Sequence, residues 1–306
     1  MSKNRVKEGL RGHSCRLPGQ KRSAAWRSCV MVFRHAWIYP VLSTLCAFIA
    51  FFVCYGIGVA KGNVNAWLPF ISDGGAVPPQ SCIFGLFLNL SAVFVVITVY
   101  LRHRQYMTFY ARCSSFTGHW RRFSIAAMFS GFLIAVGISL VANFQEGRAT
   151  YFWHNIGAML AFWSGVFYGW CQIILAYILK PRMTPLWLNH TRTGCITCAT
   201  FAVTTLFVCL LAHPFVPKGT SPKPEIPENG IWLYEPGHPR YVNHIMTTFW
   251  EWILAIVFEV TVASFAWELW DFDVELKVTR KDEVRNEIFD VKTTSSKMDA
   301  AESDRK

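Results

Sequence analysis

The chain has 306 residues, of which 53% are hydrophobic, 16% aromatic and only 16% charged. A soluble globular domain carries about a quarter charged residues, so this composition excludes an ordinary soluble domain and points to a membrane. The formal net charge of +11 is concentrated in the tails and a few short loops, which reads as a basic face beside anionic lipid and not as a nucleic-acid surface.

Residues 1–34 form a basic tail with nine Lys and Arg. No apolar core followed by a small-residue cleavage site occurs there, so it is expected to remain as a cytosolic tail rather than to be removed as a signal peptide. Trp26 and Phe33 among its charges also fit a segment lying on anionic lipid. Six windows then follow that are apolar and long enough to cross a hydrocarbon core of about 30 Å. They fall near 37–60, 82–101, 124–143, 152–179, 194–216 and 244–269. The first two are joined by a loop containing LPFISDGGAVPPQ (68–80), where Gly74-Gly75 and Pro78-Pro79 punctuate the chain and no helix can continue. Spans three and four are joined by FQEGRATY, a tight hairpin. The segment PKGTSPKPEIPENG (217–230), with four prolines, is expected to be an extended and mobile link before span six. Residues 274–306 alternate charges and have a disordered composition. The expected domains are thus a tail over 1–34, a six-span membrane domain over 35–273 and a charged tail over 274–306.

Lys and Arg counts set the orientation. One side carries nine in residues 1–34, five in 102–123, three in 180–193 and eight in the C-terminal tail, while the opposite loops carry five in all. The expected fold is therefore all-α: a polytopic six-helix transmembrane bundle with both termini cytosolic. On that topology Cys82 is the one cysteine at the lumenal border, so no lumenal disulfide framework is available. Cys195 and Cys198 lack a second pair at zinc-finger spacing and open an apolar span, which is ordinary helix packing. The sequons at Asn89 and Asn189 fall in a span and in a cytosolic loop, so neither is expected to carry a glycan. Tyr106-Met107-Thr108-Phe109 matches a tyrosine-based sorting signal, a pattern common by chance.

Ionisable groups at membrane depth need a reason. The acidic residues within the spans are Glu251, Glu259 and Glu268, all in the sixth. Glu268, beside two tryptophans and Asp271, reads as interfacial, and no Lys or Arg inside a span is available to pair with the three. His244 and Glu251 share a helix face at i, i+7. With Asn143, His154 and Asn155 they make a candidate lumenal polar cluster. It reads either as a site for a lipid headgroup or a proton, or as interhelical hydrogen-bonding glue. No GxSxG, HExxH or phosphate loop occurs. No catalytic residue, cofactor or metal is expected, and the chain reads as non-enzymatic.

Four stretches resemble the FRAG/DRAM family, which includes the damage-regulated autophagy modulators and relatives of the Cwh43 N-terminal domain. They are NVNAWLPFISDGGAVPPQSCIFGLFLNLSA (63–92), VANFQE (141–146), HNIGAMLAF (154–162) and YVNHIMTTFWEW (241–252). The most specific is the loop pattern through Pro69, Ile71, Ser72, Asp73, Gly75, Pro78 and Pro79, which reads as a packed cap on the lumenal face. The resemblance implies a multi-pass regulator of autophagy or lysosomal function, favouring lysosomal or endosomal membranes with plasma membrane or Golgi as alternatives. Its implied partners are membrane lipids and autophagy or lysosomal membrane proteins. Other branches imply a lipid-handling role in GPI-anchor remodelling, or a scaffold for a phosphoinositide kinase.

Overall fold

The computed structural model describes residues 29–33, 35–111, 118–220 and 227–278. The expectations for the rest of both tails, and for 221–226 of the proline-rich link, lie outside the described residues. The chain divides into two units. In the first, made of 1–32 and 275–306, the described residues belong to two short strands. These are β1 (Cys29–Phe33) and β2 (Val274–Val278), paired in a two-stranded sheet. Alternating charge over 274–306 suggested irregular chain from its first residue, and β2 is where the structure departs from that reading.

The second unit, Phe33–Val274, is a bundle of six long helices. They are α1 (Ile38–Ala60), α2 (Gln80–Phe109), α3 (Gly118–Asn143), α4 (Tyr151–Ile178), α5 (Leu186–Ala212) and α6 (Tyr241–Leu269), all long and apolar enough to span a membrane. Only 33% to 44% of each apolar window is buried inside the bundle. The remaining apolar surface, with Phe52, Leu86, Phe129, Phe167 and Phe201 exposed, is what lipid tails would cover. This establishes an integral multi-pass membrane protein. The stops are set by residues that cannot continue a helix. Gly62 follows α1 at φ 70, Pro78-Pro79 precedes α2, Pro185 precedes α5, and His213 leaves α5 at φ 48 before Pro214.

Several helices run further than the apolar windows. α2 extends to Phe109, α3 starts at Gly118 and α5 at Leu186, so Arg102, Arg104, Arg121, Arg122 and Arg192 are helical and not loop residues. Apolarity marks the length that crosses hydrocarbon, whereas helices continue into the interface wherever no Gly or Pro stops them. Small residues pack inward. A Cβ on Gly137 of α3 would lie 2.4 Å from the Ala161 nitrogen of α4, and one on Gly165 would lie 2.9 Å from the Phe258 ring of α6. Gly165 and Gly169 are thus internal contacts, which is how small residues let helix backbones approach.

Two ends of the bundle matter for the site. The loop face carries residues 61–79, the α3–α4 hairpin and the described part of the α5–α6 link; the tail face carries the α2–α3 and α4–α5 connections. At the tail face the expectation for Glu268 is overturned. Its side chain is fully buried, Arg192 of α5 grips it through Nη1 at 2.5 Å and Nη2 at 2.7 Å, and Arg102 of α2 lies 3.6 Å away. Thr184 adds a hydroxyl at 2.6 Å. A buried carboxylate is tolerable when paired and fully hydrogen-bonded, and long α2 and α5 bring two guanidiniums to it. Tyr106 is buried against Arg102, its hydroxyl accepting from Nη2 at 3.2 Å, so the sorting-signal match is an internal tyrosine.

Candidate functional site

The site grows from four consecutive residues of the 61–79 loop. The Pro69 carbonyl accepts from Trp252 Nε1 at 2.9 Å, and the Phe70 N–H donates to Asp73 at 3.1 Å, closing the turn on itself. The Ile71 N–H donates to Glu251 of α6 at 2.9 Å, and the Ser72 hydroxyl donates to Glu146 of the α3–α4 hairpin at 2.9 Å. A short 3-10 turn, Asp73–Gly75, follows, pressed so close to α2 that a Cβ on Gly75 would sit 2.4 Å from the Phe84 ring. Ile71 joins the apolar core while Ser72 and Asp73 are buried at 8% and 3% exposure. The loop is therefore packed onto the helix ends rather than lying loose over them.

Three carboxyl groups meet beneath that turn: Asp73 from the loop, Glu146 from the hairpin and Glu251 from α6. Asp73 is held well above the usual carboxylate range, first by burial and then by the charges of Glu146 and Glu251, with the Phe70 N–H pulling the other way. Asp73 and Glu146 are in side-chain hydrogen-bond contact. Among the described residues no group of His, Cys, Asp and Glu has the geometry to hold a metal ion.

The expected polar cluster is partly brought together. Glu251 and His154 line one cavity, His154 Nδ1 lying 2.8 Å from the Phe144 carbonyl. His244 lies edge-on to Phe70 and to Tyr234, at 5.2 and 5.3 Å between ring centroids, and it lines the outer chamber with Asn155. Asn155 bonds its own helix at the Tyr151 carbonyl. Asn143 is not part of the cluster. It turns to α2, pairing with Asn89 at 3.1 Å and with Ser139, because one helical step separates the α3 face toward α2 from the face toward the cavity. The residue that sequence reasoning did not nominate is Glu146. It lies just outside the apolar windows in which buried acids were sought, although it stands in the VANFQE stretch. The link from α5 to α6 also closes on it. Gly230, at φ 79, lets the backbone come so near the Glu146 carbonyl that a Cβ there would overlap it. Ile231 and Tyr234, just past the 217–230 link, are buried, so the chain is packed from Gly230 onward, while 217–219 and 228–229 within the link are exposed.

Two cavities meet at this knot. The outer one, about 340 Å³, is lined by polar groups including Glu146, Asn155, His244 and Arg240. The inner one, about 140 Å³, runs into the apolar centre of the bundle, and both are walled by Ser72, His154 and Glu251.

The stretches that carry the family resemblance are thus the ones that build the knot, and the comparison with known proteins agrees. The model of the Frag1/DRAM/Sfk1/Cwh43P N-terminal domain matches residues 35–272. The chain belongs to this family. Among curated relatives, human DNA damage-regulated autophagy modulator protein 1 is 31% identical over 221 residues, covering 72% of this chain and 84% of the relative. The rat DNA damage-regulated autophagy modulator protein 2 is 29% identical over 230 residues, 72% of this chain and 78% of the relative. The Xenopus tropicalis modulator of macroautophagy TMEM150B is 34% identical over 178 residues, 57% of this chain and 72% of the relative. No solved structure matches. The Frag1/DRAM match spans all six helices, so loop, hairpin and α6 lie within one family domain.

Proposed function

We propose that this chain is a multi-pass membrane regulator of autophagy that acts in lysosomal or endosomal membranes, without catalysis of its own, through its loop face. The observation that carries the reading is its membership of the Frag1/DRAM family, supported by relatives whose names are autophagy modulators. The loop face is then the lumenal face, and the knot of Asp73, Glu146 and Glu251 holds its cap. A cap pinned by a buried Asp73 that burial and neighbouring carboxyls hold above the usual carboxylate range suits a compartment that acidifies, where that side chain keeps its proton. Membrane lipids and autophagy or lysosomal membrane proteins are the partners this reading supplies.

The test is autophagic flux, read as turnover of a lipidated marker with and without lysosomal inhibition, in cells lacking the protein. Flux is expected to change, and wild-type protein to restore it. Glu251→Gln keeps an acceptor for the Ile71 N–H and removes the ability to ionise, so it is expected to reach its normal membrane and abundance without restoring flux. Unchanged flux in the null cells, with GPI-anchored proteins shed or carrying altered acyl chains, would replace this reading with lipid remodelling. Full rescue by the glutamine variant would reduce Glu251 to a helix tie.

A further inference from the structure

The inner cavity poses a problem that the cap does not solve. Its walls are mostly aromatic and aliphatic, from Phe51 and Phe84 near the knot to Phe265 at the far end. Three of its lining residues, from three different helices, carry the oxygens Thr98 Oγ1 of α2, Tyr168 Oη of α4 and Glu259 Oε2 of α6. Their residues are 2%, 5% and 9% exposed, and each of these atoms is buried without a hydrogen-bond partner. Buried polar groups in native proteins are almost always paired, and each one left unpaired is costly. Three orphans on the lining residues of one cavity point to an occupant.

The chemistry narrows the class. No Lys or Arg lines the inner cavity, so the Glu259 carboxyl faces no cation there. The guanidiniums of Arg102 and Arg192 lie at 5.0 and 4.7 Å from the Phe265 ring and share the carboxylate of Glu268. The two nearer ionisable wall groups, Glu251 and His154, stand at the knot end. Glu259 lies eight residues along α6 from Glu251, about 12 Å deeper at 1.5 Å per residue. An ammonium group carries one positive charge, three donors and no acceptor. It thereby answers the unpartnered Oε2 of Glu259 with a charge as well as a donor, which no alcohol or hydrocarbon does. Size fixes the body: an apolar cavity of about 150 Å³ accepts a guest the size of benzene, and this one measures about 140 Å³. Water is the weaker occupant, since each molecule needs two to four polar partners and most of this wall offers none.

We propose that the inner cavity is a binding site for a small apolar primary amine, one ring or its equivalent in carbon, with its ammonium at Glu259 and its body against the aromatic wall. The occupant enters from the loop face through the outer cavity, because the two cavities share walls at Ser72, His154 and Glu251. The Arg102–Glu268–Arg192 cluster closes the other end. This site goes beyond the autophagy reading and stands or falls independently of it.

The experiment uses the purified full chain in lipid nanodiscs, with benzylamine as the probe and benzyl alcohol and toluene as shape-matched controls, followed by calorimetric titration. Empty nanodiscs are titrated in parallel to remove partitioning into lipid. Saturable benzylamine binding, about tenfold or more tighter than that of benzyl alcohol, is expected from wild-type protein alone. Glu259→Gln is expected to lower benzylamine affinity to the level of the alcohol while leaving alcohol affinity unchanged. Equal affinity for the three compounds, or no saturable binding by the wild-type chain, would overturn the proposal even if the variant failed to fold. Loss of amine binding in Glu251→Gln with full retention in Glu259→Gln would place the amine at the knot and also overturn it.

Discussion

At the scale of single residues, the knot is a problem of one retained proton, on Asp73. Asp73 sits outside the helices, buried, with its carboxyl raised above the ordinary range by burial and by Glu146 and Glu251. A raised carboxyl means that the folded chain holds a proton which the unfolded chain releases. The stabilisation is fully present below the ordinary Asp range and is lost as pH rises through the elevated value. The cap should therefore be tighter in acid. Hydrogen exchange at the amides of Ile71 to Gly75, corrected for intrinsic rate, is expected to show more protection near pH 5 than near pH 8. Asp73→Asn, which keeps an acceptor for the Phe70 N–H, should flatten that dependence; pH-independent protection in the wild-type chain would remove the proton held by Asp73 from the account. The sequence made Asp73 and Glu251 visible, one in a specific loop pattern and the other as an acid in an apolar run. It did not reveal Glu146 as their partner. That pairing depends on the hairpin folding under the loop, and a one-dimensional scan for acids within apolar windows ends three residues before it.

At the scale of elements, the tail-face cluster ties α2, α5 and α6 into one unit. Arg192 makes four bonds: Nη1 and Nη2 to Glu268, Nε to the Ser264 hydroxyl at 2.7 Å and Nη2 to the Ser264 carbonyl at 2.8 Å. Removing one partner of a buried pair leaves an uncompensated charge, at a cost of about 3–5 kcal/mol. Arg192→Ala is expected to lower the melting temperature of the purified protein markedly, and Arg192→Lys to recover only part, since an ammonium cannot reproduce the planar two-oxygen grip. A melting temperature unchanged by Arg192→Ala would show that Arg102 alone balances Glu268. The helices themselves were legible from apolar length. The arginines were not. Arg102 and Arg192 fall at the ends of apolar windows, where a positive charge looks like a topology signal, and only three-dimensional packing distinguishes a charge that snorkels to the interface from one turned inward to an acid.

At the scale of the whole molecule, six crossings return the chain to the side from which it started, so both ends of the bundle's chain lie at one face. Charge predicts which face is cytosolic. The tail-face segments and the two tails carry 25 of the 30 Lys and Arg, leaving five for the opposite loops. Two of the 25, Arg102 and Arg192, are occupied by Glu268, and the asymmetry survives their removal. Tags at residues 1 and 306 are therefore expected to be digested by protease added to sealed vesicles with cytosolic face outward, while a tag within 219–229 is protected. Glycosylation tests the same topology without a tag. Asn89 is bonded to Asn143 and Ser139 between α2 and α3, and Asn189 is 1% exposed against the Ala176 carbonyl. Neither can present its amide to a glycosyltransferase in the folded bundle, so no glycan is expected on either. An endoglycosidase-sensitive mobility shift abolished by Asn189→Gln would place the α4–α5 connection in the lumen and invert the molecule, carrying the acid knot to the cytosol and removing the acidic compartment as its setting.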